Sequence, residues 1–433
     1  MDQLSRSETY RRKRVLSKRK KRHRFITAGI AFVFFALAFV LWLSYQGAVG
    51  NRNADPPDLG NGAPRTGQQP PSGSAGTDKP QDQPTDDGAQ PGTKPGSGPA
   101  ESSPGSERVS LTFVGDVIFA GNVEMTLKTK GYDYPYREVR SYLQQADIAV
   151  ANLETPVTDK GGEPEKKQYV YRSSPKALAD FKEAGFDLVN LANNHVLDYG
   201  QAGLLETFES LKQAGIPWVG AGRNAAEAFE PVILEKNGVK VAFLGFSWVV
   251  PRQEWKAGLD RPGVADTYAL DGPLKAIRKA KESADLVVVI VHWGKEREDY
   301  PEEEQRRFAR EYIDAGADLI IGGHPHVLQG FENYKGKWIA YSLGNFIFTM
   351  NENPKTWETV ILQASCAKTG DCELKAVPVL TKLANPVPMA QPEAGKLLER
   401  LTKISFNAEL AEDGSVKLAD NLGNNSLQTK ARE

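Results

Sequence analysis

The sequence predicts a two-sheet α/β sandwich with helices on its outer faces, reached through an N-terminal membrane segment and a long linker. Three observations predict it. Continuous β-branched runs such as "DLVVVIVHWG" and "DLIIGGHPH" alternate with amphipathic stretches, as βαβ units around a buried, largely parallel sheet require. Strand pairs joined by turn residues add antiparallel pieces to that layer. Ahead of both lie an uncharged apolar run and then a stretch almost without large apolar groups.

The chain has 433 residues, room for one large domain or two ordinary ones, and a formal net charge of -1. That near-neutrality hides an asymmetry. Residues 1–24 carry eleven Lys and Arg against Asp2 and Glu8, which leaves 43 basic and 53 acidic residues, a net of -10, for the rest. Nucleic acid is excluded as a partner of so acidic a body.

Residues 25–45, "FITAGIAFVFFALAFVLWLSY", contain no charge and read as a single transmembrane helix, which takes about 20 apolar residues. The alternative is a cleaved signal peptide. Its apolar core is usually about 7–15 residues and a small-residue cleavage site follows; this segment is longer and has none. With the basic residues 1–24 kept as a cytoplasmic tail, everything after Tyr45 is expected outside, and membrane lipid is the first expected partner. Residues 46–107 are rich in Pro, Gly and Ser, with Leu59 almost the only large apolar side chain. Such a stretch cannot offset its ordering entropy, and a disordered tether spanning roughly 40 Å on average is expected.

The folded domain is expected over 108–420, with 421–433 a polar tail. Its strands are "VSLTFVG", "DIAVANLE", "FDLVNLANNH", "DLVVVIVHWG" and "DLIIGGHPH". Between them "SPKALADFKEAG", "QAGLLETFESLKQAG", "LDGPLKAIRKAKESA" and "EEQRRFAREYIDAG" predict helices, several closed by Gly. Asn237-Gly238 marks a hairpin within "PVILEKNGVKVAFLGFS". "VLQGFENYKGKWIAYSLGNFIF" and "TVILQASCAKTGDCELKAVPVL" read as further strand pairs, and "PEAGKLLERLTKIS" as a last helix. The only two cysteines, Cys366 and Cys372, flank the turn of one pair. Hairpin spacing and an extracytoplasmic location favour a disulfide between them over metal ligation, for which no further ligands stand nearby.

The predicted strands end in polar groups that bind metals or move protons: Asp116, Glu154, Asn194 with His195, His292, and His324 with His326. In an open α/β sheet, the loops at the carboxyl ends of strands meet in one crevice. Singly each residue has an ordinary reading, as a helix cap, a turn residue or a packed imidazole. Together they place four of the chain's five histidines at strand ends, with only His23 elsewhere. A mixed histidine, carboxylate and amide set suits one or two divalent transition ions, Mn, Fe or Zn, and the lack of thiolates excludes a finger-type zinc site. Two ions about 3.5–4 Å apart could clamp a phosphoryl group and activate water, with a histidine outside the ligand shell protonating the leaving group.

"TFVGDVIFAGN", "VANLETPVT", "LANNHVLDYG", "VHWGKE", "GGHPHVLQG" and "YSLGNFIF", in that order, resemble the poly-γ-glutamate capsule biosynthesis family, the CapA-type proteins, which resemble calcineurin-like metallophosphoesterases in fold. The resemblance covers about Val109 to Ser405. It implies a four-layer α/β/β/α metallophosphoesterase-like sandwich, a membrane-anchored ectodomain and a role in making or exporting an anionic capsular polymer. By position, Asp116 looks like the first-strand metal ligand, Glu154 stands where a bridging Asp is usual, and Asn194 looks like the amide ligand. His292, His324 and His326 would complete the metal shell, with His195 the candidate acid and Asp198 orienting it. Two departures stand out: Ile118 occupies a position where such phosphoesterases usually have His, and Glu154 replaces Asp.

Two functions follow. One is a metal-dependent hydrolase of the envelope, acting on a phosphoester or amide linked to polymer assembly. The other is a non-catalytic module that holds poly-γ-glutamate, or the other synthase and export subunits, at the membrane.

Overall fold

The computed structural model describes residues 107–159, 166–349 and 352–419. Residues 25–45, the linker as far as Ser106 and the 421–433 tail lie outside them. Among the described residues no helix is long and apolar enough to cross a membrane.

Two sheets face each other. The larger has ten strands, and its centre is built from β1 (Arg108–Val117), β2 (Ile148–Leu153) and β3 (Phe186–Asn190), all parallel. The second has six, centred on β4 (Val239–Ser247), β5 (Leu286–His292) and β6 (Leu319–Gly323), also parallel. The antiparallel β7 (Leu328–Tyr334) and β8 (Lys337–Leu343) close one edge of the six-stranded sheet, and Val232–Lys236 pairs with β4 at the other. A short β9 (Asn345–Ile347) runs parallel to the end of β1, while β10 (Glu358–Ala367) and β11 (Cys372–Lys382) extend the larger sheet antiparallel.

The apolar runs are continuous because both faces of these strands are buried. In β5, Leu286, Val288 and Ile290 point into the core between the sheets, while Val287, Val289 and Val291 point into an outer core. The period of two thus supplies two different cores from one run. Each such side chain contributes about 1.5–3 kcal/mol on burial. The outer core of the six-stranded sheet is completed by α4 (Asp271–Lys281) and α5 (Glu303–Ala315), through Ile277, Ala280, Phe308 and Tyr312. On the other side α1 (Asn122–Lys130), α2 (Ala177–Glu183) and α3 (Gly200–Gln213) cover the larger sheet with Leu127, Phe181, Leu204 and Phe208. A further helix, α6 (Glu393–Lys403), packs into the core between the sheets. The layers are therefore helix, sheet, sheet, helix.

Local signals terminate the elements as the composition requires. Helix α5 opens on a Glu302/Gln305 capping box and closes on Gly316 at φ 119°. The Asn237-Gly238 turn has φ of 52° and 77°, both left-handed, as a two-residue hairpin needs. Cys366 and Cys372 are register partners in the β10–β11 hairpin and are joined by a disulfide.

Candidate metal centre

Register brings the polar residues to one level. Across the larger sheet Asp116 is level with Asn152, and Asn152 with Asn190; across the smaller, Gly323 is level with His292. The sheets meet at this level. A Cβ on Gly323 would stand 2.8 Å from Asp116 Oδ1, so only glycine lets β6 approach β1 so closely. Directly after it, the backbone N–H of His324 donates to Asp116 Oδ2 at 3.3 Å.

Two overlapping groups of ligand atoms result: Asp116, Glu154 and His292, and Glu154, His324 and His326, each with its atoms within 4.8 Å of one another. Five of the six residues expected to hold metal thus come together around Glu154. The sixth, Asn194, is adjacent: its Oδ1 lies 2.8 Å from His292 Nε2. The three imidazoles form a row, with ring centroids 4.7 Å apart for His292 and His324 and 5.9 Å for His324 and His326.

The fit to a cation is decided by Glu154. Its carboxylate is fully buried, and neither oxygen accepts a hydrogen bond from any described residue. His292 Nε2 is the nearby imidazole nitrogen, 3.4 Å from Oε1. Burying a charged carboxylate without hydrogen bonds is costly, and a bound cation would offset that cost. Among the described residues His324 Nδ1 is also buried without a hydrogen-bond partner. Two carboxylates and three imidazoles suit a divalent transition ion.

The electrostatics differ between the ligand candidates: His324 is held neutral, whereas His326 is held protonated in the ion-free site and would have to give up a proton to ligate. Burial, with the neighbouring imidazoles of His292, His326 and His195, holds His324 well below the usual histidine range, neutral and able to ligate. Burial also opposes charge on His326, but the Glu154 and Asp116 carboxylates outweigh it and push that ring up to about 10. Asp116 would be raised by burial, yet the hydrogen bond and charge of His326, with smaller contributions from His292 and Asn152, hold it below the ordinary range.

A buried amide ladder supports the carboxylates, and sequence reasoning passed over it. Asn190 Oδ1 accepts from Ala192 N, and Asn193 Oδ1 from the N–H groups of His195 and Val196, which fixes the orientation of both amides. Their Nδ2 groups donate to Asn152 Oδ1 at 2.9 and 3.3 Å. Asn152 must therefore present Nδ2 to Asp116 Oδ1 at 2.7 Å and to His292 Nδ1 at 3.3 Å. Asn152 Nδ2 and Asn194 Oδ1 thus bracket the His292 ring at its two nitrogens, 3.3 Å from Nδ1 and 2.8 Å from Nε2, and one of these contacts would be exchanged for a cation on ligation. The same amides explain why "FDLVNLANNH" leaves the strand after Asn190: Asn side chains take over the backbone's hydrogen bonds there.

His195 and Asp198 form a second cluster beside the first. His195 Nδ1 lies 2.8 Å from Asp198 Oδ2, which also accepts from the Tyr171 N–H. Lys167 reaches in to Asp198 Oδ1 at 2.5 Å and the Asn194 carbonyl at 2.7 Å. Tyr171 packs on the His195 ring at 4.6 Å and Phe348 on His326 at 4.9 Å. Both rings line an apolar hollow of about 210 Å³ with Ile118 and Ala120, so Ile118 faces this hollow with a side chain that cannot ligate. Lys167 and Tyr171 lie in a segment without strong periodicity, which gave no signal of their position.

Both histidines of the "HPH" segment have left-handed backbones, φ 97° at His324 and 56° at His326. Such conformations cost about 1–3 kcal/mol in non-glycine residues and are retained where the surroundings hold the residue in place.

The chain matches the family described as bacterial capsule synthesis protein PGA_cap over residues 110–350. It is 34% identical over 340 residues to the capsule biosynthesis protein CapA of Bacillus anthracis, covering 76% of this chain and 81% of that protein. To the PGA biosynthesis protein CapA of Bacillus subtilis (strain 168) it is 34% identical over 314 residues, 71% of this chain and 81% of that one. Among solved structures it is similar to the NAD nucleotidase of Haemophilus influenzae, with a TM-score of 0.37 at 13% identity, covering 70% of this chain and 65% of the other. A hypothetical protein from Thermus thermophilus gives a TM-score of 0.34 at 18% identity over 64% of this chain and 96% of that one.

Proposed function

The chain belongs to the bacterial capsule synthesis protein family, and from that premise we propose that it serves poly-γ-glutamate capsule synthesis or export as a membrane-anchored, extracytoplasmic protein with a metal-dependent hydrolase site. The observation that carries the hydrolase reading is the Glu154 carboxylate, buried among Asp116, His292, His324 and His326 and accepting no hydrogen bond from the described residues.

In this reading Asp116, Glu154, His292, His324 and His326 hold one or two divalent ions in a metallophosphoesterase-like sandwich, with Asn194 at the edge of the shell. A bound ion supplies the Lewis acidity that hydrolysis of a phosphoester or amide requires. The protein's own groups do the rest. In its doubly protonated form His195 would donate from Nδ1 to Asp198 and deliver the Nε2 proton to the leaving group, ending as the neutral ring. Lys167 neutralises the Asp198 carboxylate, and Tyr171 shields one face of the His195 ring. Residues 25–45 anchor the chain, and residues 46–107 let the domain reach a polymer and its synthase subunits beyond the bilayer.

The test is metal content and turnover together. Purified ectodomain should carry at least one Mn, Fe or Zn per chain by elemental analysis and hydrolyse a generic phosphoester or γ-glutamyl amide. Glu154→Gln should remove the ion, and His195→Ala the turnover alone. A metal-free chain, inert with every added ion, would reject the site. Ile118, which supplies an apolar wall where a ligand is usual, favours a second reading as a non-catalytic scaffold. Capsule made normally by a His195→Ala strain would select it.

A further inference from the structure

We propose that Asn345 is the positioning residue that decides which nitrogen of His326 is offered to a bound ion. The inference rests on the cluster being a cation site, and it concerns a residue outside both ligand groups. Asn345 is fully buried at the start of β9, level with Asp116 in the parallel β1–β9 register.

Its amide orientation is set by the backbone. Asn345 Nδ2 donates to two carbonyl oxygens, that of His326 at 3.3 Å and that of Thr356 at 3.1 Å. A carbonyl has no proton to give, so the NH2 end must face these two groups, and Oδ1 must face the other way. Oδ1 lies 2.8 Å from His326 Nδ1. An amide oxygen only accepts, so Nδ1 carries a proton. Asp116 Oδ2, 3.4 Å from the same nitrogen, favours it further. Once the ring gives up its second proton, Nε2 is the lone pair His326 can offer to a cation.

One side chain therefore grips one residue twice, at its carbonyl oxygen and at its ring nitrogen. That grip also accounts for the left-handed φ of 56° at His326, because the carbonyl and the ring must both turn toward Asn345. Partners of this kind fix the tautomer and aim of a ligating imidazole, and losing one typically weakens metal affinity 10–100-fold.

The experiment uses the protein labelled with ¹⁵N-histidine and loaded with Zn²⁺, read by long-range ¹H–¹⁵N correlation, with His326→Gln identifying the resonance. The wild-type ring should be protonated at Nδ1 with Nε2 bearing the ion. Asn345→Leu, similar in size but without polar groups, should lose the protected Nδ1 proton and bind Zn²⁺ 10–100-fold more weakly. Asn345→Asp keeps an acceptor and should keep the Nδ1 proton. A Zn²⁺-loaded wild-type ring protonated at Nε2 with the ion on Nδ1, or an Asn345→Leu spectrum and affinity unchanged from wild type, would overturn the proposal. Should Asn345→Leu not fold, the wild-type and Asn345→Asp spectra decide. Should wild type bind no Zn²⁺, the cation reading fails, and the ion-free spectra still separate the two: a protected Nδ1 proton in wild type supports the Asn345 assignment and its absence rejects it.

Discussion

Asn152 donates from Nδ2 to Asp116 Oδ1 over 2.7 Å, at the register where β1 and β2 are level. The same amide receives Asn190 and Asn193 on its oxygen, so one side chain joins the acid of the first strand to the loop that carries Asn194 and His195. Asn152→Leu would leave Asn190 Nδ2, Asn193 Nδ2 and Asp116 Oδ1 each short of a buried partner. At about 1–3 kcal/mol per stranded group, partly relieved by relaxation, we expect a loss of about 2–4 kcal/mol by urea unfolding. Retention of full stability would mean that the ladder is not the support described here.

Glu154 links stability to metal. Wild-type protein should melt higher when Mn²⁺ or Zn²⁺ is added, by about 2.7 kcal/mol of stabilisation at a free ion concentration 100 times Kd. Glu154→Gln removes the carboxylate shared by both ligand groups. Added metal should no longer raise its melting temperature. Equal metal-induced shifts in both proteins would contradict the assignment.

The left-handed backbone at His324 makes an unusual comparison available. At φ 97° alanine is strained much as histidine is, and glycine is not. His324→Gly should therefore be more stable than His324→Ala by about 1 kcal/mol in the ion-free protein, although glycine normally costs about 0.5–1 kcal/mol relative to alanine. Thermal unfolding of the two variants in chelator checks this, and the usual order, with alanine the more stable, would refute it.

Acid sensitivity should arise partly at Asp147, away from the site. Burial would raise its carboxyl, but hydrogen bonds from Ser110 N at 2.8 Å, Ser110 Oγ at 2.7 Å and Asn237 Nδ2 at 3.0 Å outweigh burial and hold it below the ordinary range. A depressed folded-state value means the contribution is present above the unfolded value and disappears as pH falls through the folded one. The stability advantage of wild type over Asp147→Asn should accordingly be constant near pH 6 and shrink below about pH 4. An advantage independent of pH down to 2 would exclude this origin.

Much of the architecture was legible because its signals are local. The run Leu286–His292 is apolar at every position before its histidine, and the structure buries both faces of that strand. Phe308, Ala309, Tyr312 and Ile313 recur at helical spacing, and that face of α5 is the buried one. The metal-ligand candidates were legible because histidine is rare here and falls at strand ends. Asn152, Asn190, Asn193 and Asn345 were not, since asparagine near a turn has an ordinary explanation and nothing in the string distinguishes an amide holding a carbonyl from one holding an imidazole. Lys167 and Tyr171 were equally silent, lying in a segment whose approach to His195 depends on the path of the chain.

Taken alone, the sequence determined the alternation of strands and helices, the burial of the parallel runs and the chemical character of the strand ends, because periodicity and residue type act over a few neighbouring positions. Only the tertiary structure decided that Glu154 accepts no hydrogen bond from the described residues, that His324 contacts Asp116 across a separation of 208 residues, and that Asn345 meets the His326 ring. The reason is physical: hydrogen bonding and desolvation change over tenths of an ångström, and those distances are set by how two sheets pack, not by any one stretch of chain.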